Sequence, residues 1–100
     1  MNKIYLVSEI QCFNTEIMQK RFWVFSTLED AIAFKNNLDA LWIHDLLEDS
    51  EYDTLEDMEN NGEITIVHMG QLLFNFIGQY GEPEVEIQIS TLNVDSAKNC

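Results

Sequence analysis

Polar and apolar positions alternate along several short stretches of the chain. Between residues 3 and 13, Ile4, Leu6 and Ser8 alternate with Tyr5, Val7 and Glu9, and both sets are largely apolar at the start. That pattern predicts a strand with neighbours on either side. Asn14-Thr15-Glu16 is turn chemistry. Lys20 to Phe25 is aromatic and β-branched, so a hairpin is predicted. Ser26-Thr27-Leu28-Glu29 matches a capping box, and Glu29 and Asp30 suit the positive end of a helix dipole. Leu28, Ala31, Ile32, Phe34, Lys35 and Leu38 recur at helical spacing, predicting a helix over about 27–37 that ends at Asn36-Asn37. A second helix is predicted over about 39–49, capped by Asp39, with Leu41, Trp42 and Leu46 inward.

Ser50 to Glu59 reads either as a short helix capped by Asp53 or Thr54, with Leu55 and Met58 inward, or as an acidic loop. Asn60-Asn61-Gly62 is a strong turn signal. Glu63 to Met69 alternates as a strand. In residues 70–80, Leu73, Phe76 and Ile77 share a helical face away from Gln71 and Asn75, which favours a helix over a strand. Tyr80-Gly81-Glu82-Pro83 reads as a loop. Glu84 to Leu92 places Val85, Ile87 and Ile89 against Glu84, Glu86, Gln88 and Ser90, a half-buried strand. From Asn93 onward a frayed tail is predicted. The sum is one α+β domain over residues 1–100, with about four strands in an antiparallel or mixed sheet and helices on one face.

Composition changes this picture in one respect. The 100 residues carry eighteen acids against five Lys and Arg, a formal charge of −13. Residues 1–35 balance, with four acids against four bases, whereas residues 36–97 hold fourteen acids and no Lys or Arg. Ten of the fourteen fall between Asp39 and Glu63. Direct binding to nucleic-acid phosphate or to an anionic membrane is therefore not expected. There is no signal-peptide pattern and no apolar run of membrane-spanning length, and the two Cys form no disulfide framework, so a cytoplasmic protein is expected.

Site chemistry is sparse. Asp49, Glu51, Asp53 and Asp57 resemble positions 1, 3, 5 and 9 of a calcium loop, but Thr54 stands where the sharp turn needs Gly and Asn60 where a bidentate Glu is needed. His44 and His68 lack partners at zinc-ligand spacing. Cys12 lies mid-strand, without the helix N-terminus that activates a thiol, and there is no Gly-rich phosphate loop. Glu84 and Glu86 fit the wet face of a strand, with no nearby Lys for nuclease chemistry. No catalytic residue, metal or cofactor is expected.

The acids themselves are the functional candidate. Carboxylates one helical turn apart lie ~6 Å from one another, and duplex DNA carries a charge every ~3.4 Å along each strand. Solubility needs a charge magnitude of only ~2–8 in a small domain, and the excess is self-repelling. The expected partner surface comprises Asp45, Glu48, Asp49, Glu51, Tyr52, Asp53, Glu56, Asp57 and Glu59. Trp42, Tyr52, Leu55 and Met58 are candidate anchors, with core packing favoured for Trp42. In size, charge and compact α+β pattern the chain resembles the small acidic nucleic-acid mimics of phages and mobile elements. That resemblance implies an inhibitor of a basic nucleic-acid-binding protein of host defence, such as a restriction enzyme or a CRISPR effector, and it carries over no site residue. The other reading of the same acids is an immunity, antitoxin or regulatory module that plugs a basic site. A weak divalent-cation binder is a third.

Overall fold

A computed structural model describes residues 2–13, 16–78 and 84–94. The turn expected at Asn14-Thr15, the loop at Tyr80–Pro83 and the end of the tail from residue 95 lie outside them. The described chain is α+β. Its elements are β1 (Asn2–Phe13), β2 (Glu16–Phe25), α1 (Leu28–Glu48), α2 (Leu55–Asn60), β3 (Ile64–Met69), β4 (Leu73–Gly78) and β5 (Glu84–Val94). The five strands form one antiparallel sheet in the order β2-β1-β5-β4-β3. A β1–β2 hairpin and a β3–β4–β5 meander thus meet along β1 and β5, with Val7 opposite Ile89.

Strand alternation divides the sheet into two faces. On the covered face Val7 and Glu9 of β1 are level with Ile89 and Ile87 of β5, and Phe74 and Phe76 of β4 follow beside Ile87 and Val85. These side chains are essentially sealed from solvent. Helix α1 lies over them, burying Ala31, Lys35 and Leu38. Its Phe34 ring sits 4.8 Å from Trp23 and 5.2 Å from Phe25 of β2, and Trp42 meets Phe76 edge-on at 5.8 Å. Met58 of α2 and Ile64 of β3 complete the core. No described helix is long and apolar enough to cross a membrane.

Four expectations are corrected. The two helices predicted either side of Asn36-Asn37 are one continuous helix of 21 residues. Both Asn side chains are exposed, and the weak helix propensity of Asn, about 0.7 kcal/mol or less per residue, is small against burying Leu38 and Trp42 on the same stripe. Asp39 is consequently not a cap but lies mid-helix. The N-cap is Thr27, whose hydroxyl accepts the Asp30 N–H at 3.1 Å, one residue after the predicted Ser26. Residues 73–78 are a strand, not a helix, because Phe74 and Phe76 alternate into the core between β5 and β3. This supplies the fifth strand. Asn93 and Val94 extend β5 rather than beginning a tail.

The acidic stretch contains the short helix α2. Thr54 caps it, accepting the Asp57 N–H at 3.2 Å. Its far end closes as a Schellman motif: Gly62 N–H donates to Glu59 O at 3.1 Å and Glu63 N–H to Met58 O at 2.9 Å. The motif needs a left-handed residue after the C-cap, and Gly62 supplies it at φ 77.

An acidic groove between the helices

The C-terminal half of α1, the segment that follows it, α2 and the residue before β3 enclose an open groove of about 720 Å³. Trp42, Leu46, Tyr52 and Met58 form its apolar floor, and Asp45, Asp49, Glu51 and Glu63 stand round it. None of the lining residues is basic. The local order that builds the groove is visible at Ser50. Its hydroxyl accepts the Tyr52 N–H at 3.1 Å and lies 3.0 Å from Leu47 O and 3.3 Å from Tyr52 O, so one proton serves two carbonyls. That hub turns the chain off the helix and seats Tyr52 half-buried against the core.

The end of α1 concentrates negative charge. Its last turn contains no base, and unpaired carbonyls at a helix C-terminus carry roughly half a negative charge. Asp45 and Asp49 add theirs one turn apart on the same side.

Of the nine residues predicted to face a partner, Asp45, Asp49, Glu51 and Tyr52 line this groove. The other five are not among its lining residues. Glu48 is exposed and turned to His44, at 3.2 Å. Asp53 is exposed in the segment before α2, and Glu56 and Asp57 are exposed in the first turn of that helix. Glu59 is committed locally: its Oε2 accepts the Ile66 N–H at 3.1 Å, covering the outer edge of β3. Glu63 and Leu46 were not anticipated, and Trp42, a candidate anchor read in favour of core packing, packs against the core and also lines the groove. Met58, a candidate anchor, is 6% exposed and belongs to the core as well as the floor, while Leu55 packs against that core.

Two charged side chains are buried beside the core, and one of them, Glu9, holds a groove residue. Glu9 is 1% exposed on the covered face of β1. Its Oε1 lies 2.6 Å from the Arg21 guanidinium, and its Oε2 accepts the Trp42 indole N–H at 2.8 Å. Arg21 also sits over the Trp23 ring, 5.2 Å from its centre. This set fixes the orientation of Trp42. One feature of the sequence pointed to it: Glu9 shares strand parity with Tyr5 and Val7.

Lys35 is the second buried charge and is wholly shielded from solvent. Its ammonium donates to Asp39 Oδ2 at 2.6 Å and to Gly70 O, in the β3–β4 connection, at 2.9 Å. Burial raises the Asp39 pKa above its ordinary value, outweighing the hydrogen bond and attraction from Lys35. Asp39 Oδ1 is buried without a hydrogen-bond partner. Among the described residues no group of three or more His, Cys, Asp or Glu is arranged to hold a metal ion. Compared with protein-family models, curated proteins and solved structures, the chain matches none.

Proposed function

We propose that the chain binds a basic, nucleic-acid-binding protein and inhibits it by occupying the surface where nucleic acid would lie. The observation that carries this reading is the groove itself: four carboxylates around an aromatic and aliphatic floor, with no base in its lining. Asp45 and Asp49 stand one helical turn, about 6 Å, apart, a sparser array than the charge every ~3.4 Å along one DNA strand but a regular one of the same sign. Charge of this density steers a cationic partner and makes association salt-sensitive. The floor supplies what carboxylates alone do not, an apolar contact that excludes water at the centre of an interface. A simple cation gains nothing from Trp42 and Tyr52, which favours a protein partner over the divalent-ion reading. The natural setting for such an inhibitor is the cytoplasm of a cell whose defence nuclease or CRISPR effector it blocks.

The test is capture from a bacterial lysate on the immobilised chain at low and high salt, followed by competition with nucleic acid. Nucleic-acid-binding proteins should be retained at low salt and released by salt or by competing DNA or RNA. The triple variant Asp45→Asn, Asp49→Asn, Glu51→Gln should lose them, and Tyr52→Ala should weaken retention at low salt. Recovery of no nucleic-acid-binding protein at low salt sinks the proposal. Capture of a toxin that binds no nucleic acid replaces it with the immunity reading.

A further inference from the structure

The second face of the sheet carries no helix among the described residues. The molecule is correspondingly thin, with extents of 54 × 28 × 17 Å. Strand register sets out this face in rows. Val24 of β2, Leu6 of β1 and Ser90 of β5 are level. The next row holds Phe22, Ser8 and Gln88, and the next Lys20, Ile10 and Glu86. Ile4 and Leu92 extend the apolar end. Phe22, Val24 and Leu92 are 53%, 61% and 44% exposed. A sheet face of this composition ordinarily lies against another layer.

We propose that this face is a self-association surface, on which a second copy of the chain stacks sheet to sheet about a two-fold axis running along β1. Three features select a second copy. First, the face is self-complementary in charge. Lys20 and Glu86 flank Ile10 on opposite strands, so the two-fold brings each Lys20 over the other copy's Glu86. Second, it is self-complementary in bulk, because the same operation lays Val24 over Ser90 and Phe22 over Gln88. Third, most of the acids that would oppose self-association lie elsewhere, Glu84, level with Cys12 at the rim of this face, being the exception beside Glu86. The groove carboxylates stand on the helical side of a molecule 17 Å thick, about twice the ~8 Å screening length at physiological salt. Area suits a reversible dimer: counting ~33 Å² for each outward residue of the three strands that overlap, from strand spacing and rise, the face offers roughly 500 Å² per copy. Two copies then bury about 1,000 Å², the size of a weak, concentration-dependent interface. Face-to-face packing with the strands of the two copies nearly aligned and the sheets ~10 Å apart is the geometry expected.

Sedimentation velocity over a concentration series reads the oligomeric state, with three variants of surface residues. Lys20→Glu sets like charges opposite each other and should weaken the dimer about tenfold or more. Adding Glu86→Lys to it should restore association, an outcome a folding defect would not produce. Val24→Asp should abolish association while the thermal melt stays close to wild type. In a Cys100→Ser background a short bis-maleimide should join Cys12 to its two-fold mate, since both lie on β1 in this face. Pairing through the β2 edge would instead put those thiols at least three strand spacings, ~14 Å, apart, so an associated but uncrosslinked chain overturns the stacking. A chain that stays monomeric to ~1 mM, or a dimer indifferent to Lys20→Glu and Val24→Asp, overturns the proposal outright. These results are independent of whether the acidic groove binds a partner.

Discussion

Replacing Lys35 by Met tests how much the fold depends on one buried ammonium. Methionine approximates the aliphatic stem, so the perturbation is mainly electrostatic. Two contacts go: the one to Asp39 at 2.6 Å and the one to Gly70 O at 2.9 Å. The loss leaves Asp39 half-sheltered with neither oxygen paired, because Oδ1 already lacks a partner. Removing one member of a buried pair typically costs 3–5 kcal/mol. Asp39 retains some exposure, 17% of its side chain, and can rehydrate in part, so the lower end, about 3 kcal/mol, is expected. In a chain of this size that is a fall of roughly 12–24 °C in melting temperature. Urea unfolding followed by the fluorescence of Trp23 and Trp42 measures it. Two controls fix the cause. The double variant Lys35→Met, Asp39→Leu should recover to within about 1 kcal/mol of wild type, since an apolar pair can replace a buried ion pair. The penalty of Lys35→Met alone should shrink between pH 7 and pH 5, as the abandoned carboxyl takes up a proton. A single-variant cost below about 1 kcal/mol, or a double variant no better than the single, would refute this account.

Three further outcomes follow from other positions. Asp39 binds its proton more tightly folded than unfolded, so its contribution to stability rises as pH falls through its raised folded value toward the ordinary one; urea midpoints should show this in wild type and less in Asp39→Asn, and equal pH dependence in both would contradict it. Glu9→Gln turns an amide donor toward either Arg21 or the Trp42 N–H, and a loss of about 2 kcal/mol with a shifted Trp emission is expected. Gly62→Ala meets no atom within 4 Å of the new Cβ, so only backbone strain of roughly 1–2 kcal/mol should appear; Gly62→Asn should cost less, and equal melting temperatures for all three chains would refute the strain.

The parts of the fold that were legible in the sequence are those where a single local rule suffices. Val85, Ile87 and Ile89 alternate, and β5 follows; Asn61-Gly62 marks a turn, and the chain turns there. The misreadings arise where tertiary packing outweighs a local preference. Asn36-Asn37 reads as a helix end, yet α1 continues because the stripe Ala31–Lys35–Leu38–Trp42 keeps burying area beyond it. Residues 73–78 satisfy both helical and strand spacing over so short a run, and only the neighbouring strands decide. The buried charges were harder still. Lys35 occupies an apolar stripe position, but its partner Asp39 passes for a cap and its other partner is a backbone carbonyl thirty-five residues away. The acidic groove was half legible: charge density located it, whereas Glu63 joins it only through the chain reversal at Gly62.

The junction of β1 with β5 has a consequence for biosynthesis. The β1–β2 hairpin leaves the ribosome with β1's inner flank unpaired, and the residues that will sit beside Val7 are translated last among the strands. At ~5–20 residues per second the interval is on the order of several seconds. Throughout it an apolar strand edge stays open to any other nascent polypeptide. Protection of that edge during the interval then bears on yield alongside equilibrium stability.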